Sequence, residues 1–431
     1  MKITHEIRDP IHSFIKMTSD ERRVLDSSEF QRLRHIHQLA TSYLIYPSAT
    51  HKRFEHSLGV MELAGRVYDI VTNAEFVHNK IKDSIPEINE EDKLKYWRAV
   101  LRMAALCHDL GHLPFSHAAE KELLPVGYDH EQLTLKLIDN LNEVWQEMTP
   151  PLRNIDIKKL AVGPEKLNEE FTVWEAILAE IITGDAFGVD RMDYLLRDSY
   201  HVGVAYGKFD HFRLIDTLRI LPKIYDDTEE PTLGVEEGGL HSSEALLLAR
   251  YFMFSQVYFH DIRRIYDLHL KEFLQNWLPK GYFSMDVEEH QSITDNEVLA
   301  AIRKAAKDKS YKSHEYARII HERDHYKILY KKTMADLKLN TSPGSVIYEN
   351  ACSKFGNRYV RHDEYTQKGG TLDFPVICKD GKILSSLSMS STLNNIPVVS
   401  IDNVYIAREV EEKAKSWLSD NKDDILSGGE I

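Results

Sequence analysis

With 431 residues, 42% of them hydrophobic, the chain can bury a large core and divide into more than one packing unit. Its formal net charge of −14 argues against broad, nonspecific binding to nucleic acid or anionic membrane, while local arginine clusters can still form anion pockets. Three scattered cysteines (Cys107, Cys352, Cys378) exclude a disulfide framework; with the polar start Met1–Asp9 and no apolar run of membrane-spanning length, a cytoplasmic protein is expected.

The first two thirds of the chain read as helices joined by short loops. Apolar residues at three- and four-residue intervals predict helices over Glu62–Ala74, Lys93–His108, Glu131–Trp145, Val173–Ile182 and Ser243–Leu278. Ahead of the first stripe stands Arg53-Phe54-Glu55-His56-Ser57, which places His56 near a helix N-terminus. The second helix runs through the apolar stretch Leu101–Leu106 into Cys107-His108-Asp109-Leu110-Gly111-His112. A carboxylate set against apolar sequence costs several kcal/mol in lost hydration unless something compensates it, as a cation would. His112, four residues past His108, shares its face if the helix continues.

After the apolar helix Trp174, Ile177, Leu178, Ile181 and Ile182 comes Asp190-Arg191-Met192-Asp193-Tyr194-Leu195-Leu196-Arg197-Asp198. Its periodicity puts Asp190, Asp193 and Arg197 near one face, and its own apolar residues draw some of those charges toward a core. His56, His108, Asp109 and Asp190 then make a two-histidine, two-aspartate set. That mixture suits Mn, Mg, Fe, Zn or Ni with water completing the shell, and ligand type does not choose among them.

Further along, Leu218–Ile224 before and Thr232–Val235 within the turn-rich stretch 229–239 predict a hairpin inserted near 218–240. Helices are expected over Asp295–Asp308 and Ser313–His325. Tyr326–Tyr330, Ser345–Tyr348, Phe374–Cys378 and Pro397–Ile401 read as short strands, and Arg408–Asp420 as a closing amphipathic helix. The serine-rich run Ser385–Ser391 reads as turns and exposed loop, and the tail Asp420–Ile431 is expected to fray. The fold class is mainly α: a helical core over 1–325 with the small β-hairpin, and a small α+β C-terminal lobe over 326–431.

The blocks Arg53-Phe54-Glu55-His56, His108–His117, Asp129-His130-Glu131 and Asp190–Asp198 together resemble the HD-domain phosphohydrolases, in the dNTP triphosphohydrolase branch that is dGTPase-like and SAM-and-HD-domain-like. The resemblance runs from Asp9-Pro10-Ile11-His12 to about Lys327. It implies the same four metal ligands, a catalytic group of His112, His117, His130 and Glu131, and His117 as the acid for the leaving oxygen. Glu120 stands where the family has an aspartate that orients this histidine. Phosphate contacts are implied at Arg53, Arg191 and Arg250, and sugar contacts at Gln38, Leu39, Tyr194, Asp198 and Tyr258. Leu39 against C2′ leaves a 2′-hydroxyl without a partner and so favours the deoxy sugar. Phe259 departs from the family's glutamine, which leaves base choice open.

The resemblance also implies a GTP or dGTP activator gripped by Asp26, Gln31 and Arg34 of one subunit and by Arg323 and Lys327 of another, in a homo-oligomer, dimer or tetramer. The expected reaction converts a dNTP and water to a deoxynucleoside and tripolyphosphate, with no membrane partner. Two alternatives stand beside it. One is an HD-type phosphodiesterase or nuclease acting on single-stranded nucleic acid or a cyclic nucleotide, with a second metal on His112, His117 and His130. The other is a nucleotide-sensing regulatory protein with weak catalysis.

Overall fold

The computed structural model describes residues 5–115, 122–225, 228–367 and 372–428, and its architecture is mainly α, as expected. The chain opens with an antiparallel hairpin, His5–Asp9 against Ser13–Met17, with Asp9 opposite Ser13 at its tip. Thr18 and Glu21 close a reciprocal capping box at the start of helix Ser19–Leu25.

Helices Arg53–Val71, Glu91–Cys107, Val173–Thr183 and Val189–Val202 contribute much of the first core. The first begins nine residues before the predicted Glu62, where the Lys52 N–H donates to Glu55 Oε1 and satisfies one of the free donors of a helix start. Glu91–Cys107 is wet along its first turns and buried from Val100 onward, so its last turn carries His108 into the interior. No helix among the described residues is long and apolar enough to cross a membrane.

The predicted hairpin forms between Leu218–Tyr225 and Thr228–Glu236, with Leu218 opposite Val235. Pro375–Ile377 adds to it in parallel, followed by Ile383–Ser385. Phe374 and Val376 thereby join the first core, Phe374 meeting Phe187 edge to face. A second sheet, with Ser400–Ile406 between Lys327–Lys331 and Val360–Thr366, packs on helices Pro343–Phe355 and Glu411–Ser427 around Tyr330, Ile347, Val404 and Leu418.

Several local expectations are corrected. Ser243–Leu278 is two helices, Leu240–Met253 and Asp261–Trp277, parted by a π-helical turn at Phe254–Tyr258 in which the Phe259 N–H reaches back to Phe254 O. Glu131–Trp145 likewise divides at Leu141. Ser345–Tyr348 lies inside helix Pro343–Phe355: Pro343 is preorganised for the first turn, and burial of Ile347 and Ala351 outweighs β propensity. The serine run forms two short helices, Ser386–Met389 and Ser391–Asn394, capped by Ser385 and Ser390. The last helix continues to Ser427 because Ile425 and Leu426 are buried.

One half-buried carboxyl is expected to make stability depend on pH. Glu180, on helix Val173–Thr183, accepts from Thr232 Oγ1 at 3.0 Å and Leu233 N at 3.2 Å, yet burial pushes its pKa up to about 7. The folded state therefore holds this proton more tightly than the unfolded one. Its contribution is complete below the ordinary value of 4.5 and is lost as pH rises through about 7. Glu180→Gln is expected to flatten that dependence and to raise stability at pH 8 by up to about 3 kcal/mol, read from urea unfolding at pH 5 and 8.

Candidate metal centre

After Cys107 the backbone turns: the Leu110 N–H donates to Cys107 O and the His112 N–H to Asp109 O, each at 3.2 Å. His112 is thus not carried on a continuing helical face, which corrects the four-residue expectation. The turn instead sets its Nε2 3.0 Å from Asp109 Oδ1 and its ring on His130, with centroids 3.9 Å apart. Gly111 makes this possible, since a Cβ there would overlap the carbonyl oxygen of His130 and the amide of Thr134.

His56, His108 and Asp190 come together, each offering one ligand atom within 4.8 Å of the others. His56 Nε2 lies 3.0 Å and His108 Nε2 3.5 Å from Asp190 Oδ1. The opposite ring nitrogens are engaged elsewhere, His56 Nδ1 with Asp193 Oδ2 at 2.8 Å and His108 Nδ1 with Ala105 O at 2.8 Å. In a neutral ring whose Nδ1–H donates to these partners, the Nε2 lone pair would face the cluster, as a cation requires. His108 Nε2 is buried and has no hydrogen-bond partner among the described residues. These donors fit a divalent ion. Asp109 stands directly beside them, Oδ1 3.3 Å from His108 Nε2 and Oδ2 3.7 Å from His56 Nε2, but its Oδ2 is turned to Arg53 Nη1 at 2.5 Å.

The electrostatics follow from this crowding. Burial opposes charging His56, yet hydrogen bonds to Asp190 and Asp193 push it up to about 10. Burial likewise opposes ionising Asp190 and Asp109, but His108 and His56 hold the first, and Arg53, His108 and His112 the second, well below the usual carboxylate range. A cation bound here would take the place of the imidazole protons that these carboxylates favour. His112 behaves oppositely: burial, Arg53 and His130 hold it well below the ordinary imidazole value.

Of the other residues singled out, Arg191, Tyr194 and Arg250 form one group. Arg191 donates to Gly184 O and Asp185 Oδ1, each at 3.3 Å, and burial with the nearby Arg191 charge lowers the pKa of Arg250. Tyr194 and Tyr258 meet edge to face, 6.2 Å apart. Asp198 is buried, its Oδ1 2.7 Å from His51 Nε2 and its Oδ2 accepting from Tyr258 OH at 2.7 Å. Gln38 and Leu39 are buried close by, the Gln38 N–H donating to His51 O at 3.0 Å. Phe259 is buried too, edge-on to Tyr365. His130 Nδ1 is 3.3 Å from Glu131 Oε2, and Lys166 bridges Glu131 and Asp129. His117 and Glu120 lie outside the described residues.

The residues assigned to an activator fall into two groups. Asp26 accepts from Arg22 at 2.7 Å; Gln31 donates to Leu25 O at 2.7 Å; Arg34 donates to Gln31 Oε1 at 2.8 Å and lies over the Phe54 ring. Arg323 donates to Leu44 O at 2.8 Å, and Lys327 Nζ is 3.2 Å from His325 Nε2. Between Gln31 and Arg34, Arg32 turns inward and donates to His112 O and Ile293 O, each at 2.9 Å. Asp295 accepts from the Phe115 N–H at 2.8 Å and the His37 N–H at 2.7 Å. Sequence reasoning passed over Arg32, His51 and Asp295, whose partners are remote in the chain; for Asp193, the shared face with Asp190 was the available signal.

Comparison with known proteins places these observations among relatives. Residues 53–198 match the family described as HD domain, and residues 209–348 the one described as HD associated region. The chain is 35% identical over 299 residues to the uncharacterized protein MJ1154 of Methanocaldococcus jannaschii, covering 69% of this chain and 54% of that one. It is 35% identical over 239 residues to the human deoxynucleoside triphosphate triphosphohydrolase SAMHD1, covering 50% of this chain and 36% of the human one. The chain thus spans about half or less of the length of these curated relatives. A solved hypothetical protein from Aquifex aeolicus superposes with a TM-score of 0.77 at 33% identity, over 96% of this chain and 99% of that one.

Proposed function

Because the chain belongs to the HD-domain phosphohydrolase superfamily, in its SAMHD1-like branch, we propose that it is a metal-dependent deoxynucleoside triphosphate triphosphohydrolase. The observation that carries this reading is the convergence of His56, His108 and Asp190, with Asp109 alongside, next to the cationic group of Arg191 and Arg250. His56, His108, Asp109 and Asp190 would hold a divalent cation, which when bound would supply Lewis-acid polarisation of a phosphoryl oxygen and a lowered pKa of water.

The chain's own residues do the rest. Arg53, Arg191 and Arg250 bind phosphate oxygens, for which guanidinium geometry is suited. His51 and Tyr258 hold Asp198 so that its remaining lone pairs accept from a 3′-hydroxyl, while Leu39 packs against the sugar edge. His112, 3.0 Å from Asp109 Oδ1 and stacked on His130, belongs to the proposed catalytic group beside the α-phosphorus. His117 is the proposed acid for the departing deoxynucleoside oxygen, and tripolyphosphate is the proposed second product. Asp26, Gln31 and Arg34 of one subunit, with Arg323 and Lys327 of another, bind a GTP or dGTP activator in a cytoplasmic homo-oligomer.

The test is ion-exchange analysis of products after incubating Mn- or Mg-loaded protein with each dNTP and NTP, alone and with GTP or dGTP. Equimolar deoxynucleoside and tripolyphosphate is the expected result. Cleavage of phosphodiesters instead would transfer the assignment to a nuclease or cyclic-nucleotide phosphodiesterase, and tight nucleotide binding without product to a sensor. Arg250→Ala is expected to lower kcat/KM by about ten- to a hundredfold, because a hydrogen bond to a charged group contributes about 1.5–3 kcal/mol. An unchanged kcat/KM would remove Arg250 from the substrate site.

A further inference from the structure

We infer that Asp193, braced by His12, Arg197 and Asp9, is the positioning residue of the metal centre: it fixes the His56 ring so that Nε2 faces the ion. The inference rests on the metal-site reading above and goes beyond it to the shell that holds the ligands. Asp193 is fully buried one turn after Asp190 on helix Val189–Val202. Its Oδ2 lies 2.8 Å from His56 Nδ1. A neutral imidazole has a single N–H, and a carboxylate accepts it at Nδ1, so the Nε2 lone pair is the one left for a cation.

Asp193 is itself held on every side. Its Oδ1 accepts from His12 Nε2 at 2.7 Å and Arg197 Nη2 at 2.9 Å, and its Oδ2 from Arg197 Nε at 2.8 Å. Arg197 Nη1 continues to Asp9 Oδ2 at 2.8 Å, while Asp9 Oδ1 takes the N–H groups of Ile11 and His12 at 2.8 and 2.9 Å. The tip of the N-terminal hairpin is thereby tied to a ligand of the metal through two side chains, His12 and Asp193. A purely structural filling of this space would not need a sealed carboxylate aimed at the ring of a ligand, since buried ion pairs are often replaceable by apolar groups without loss of stability. The facing helix is also cut back for it: a Cβ at Gly59 would overlap Asp193 Oδ1.

The experiment measures Mn²⁺ affinity of the full chain by EPR, together with thermal unfolding of the metal-free protein, for wild type, Asp193→Asn, His12→Met and His12→Gln. Loss of an outer partner of a ligating histidine weakens metal binding by about ten- to a hundredfold, and that is the result expected for Asp193→Asn. His12→Met should weaken Mn²⁺ binding in the same direction but less, and His12→Gln, whose amide still donates to Oδ1, should recover most of it. A folded Asp193→Asn that binds Mn²⁺ as tightly as wild type would overturn the inference and leave Asp193 a structural residue. If Asp193→Asn does not fold, the His12 pair decides: equal affinity in His12→Met and His12→Gln overturns it. Absence of Mn²⁺ binding by wild type removes the underlying metal reading instead, so the two failures are distinguishable.

Discussion

Replacing both His108 and Asp109 with alanine is expected to strip the protein of bound metal and to lower turnover by about three to four orders of magnitude. A cation's stabilisation of transition-state charge amounts to several kcal/mol, at 1.36 kcal/mol per tenfold in rate. His108 contributes the buried Nε2 that lacks a hydrogen-bond partner among the described residues, and Asp109 the carboxylate that lies beside both imidazoles proposed as ligands. Because Asp109 is an ion-pair partner of buried Arg53, its loss is also expected to lower stability, so thermal unfolding of the variant is measured beside its metal content. Metal content after gel filtration and ion-exchange product analysis check the result. Full activity of the variant in excess Mn²⁺ would sink the assignment.

Arg53→Met should cost the metal-free protein about 3–5 kcal/mol of stability, the penalty for removing one partner of a buried ion pair. Arg53 is 1% exposed and donates to Asp109, whose carboxylate is kept ionised by Arg53 above all its other neighbours. Without the guanidinium, Asp109 keeps His112 but sits as a charge among buried groups. Added Mn²⁺ should then restore part of the lost stability, because the ion meets the same carboxylate, and the rise in Tm with Mn²⁺ should exceed that of wild type. Equal loss of Tm with and without Mn²⁺ would show that Arg53 does not share Asp109 with the metal.

Much of the fold was legible because helices write their burial into a three- and four-residue rhythm. Leu101–Leu106, Trp174–Ile182 and the stripe from Leu58 to Val67 were readable on that ground, and all are buried where the rhythm places them. The rhythm did not reveal the π-helical turn at Phe254–Tyr258, since one extra residue in a turn leaves both flanking patterns apolar. It misassigned Val346-Ile347, where a local β preference yields to burial against a sheet built from strands far away in the chain.

The candidate site divides in the same way. By itself the sequence determined the chemistry on offer: an imidazole and carboxylate side by side at the end of an apolar helix, a second acidic stripe, and arginines in number. Those are properties of residue type and of neighbours within a turn or two. Only the tertiary structure decided which of them meet. His12 and Asp193 are 181 positions apart, Arg32 and Ile293 are 261 apart, and Asp109 turns toward Arg53, 56 residues away. No spacing rule reaches such distances, because the pairing of remote charges is set by how the helices pack and by where a glycine lets two backbones approach, as Gly59 and Gly111 do here.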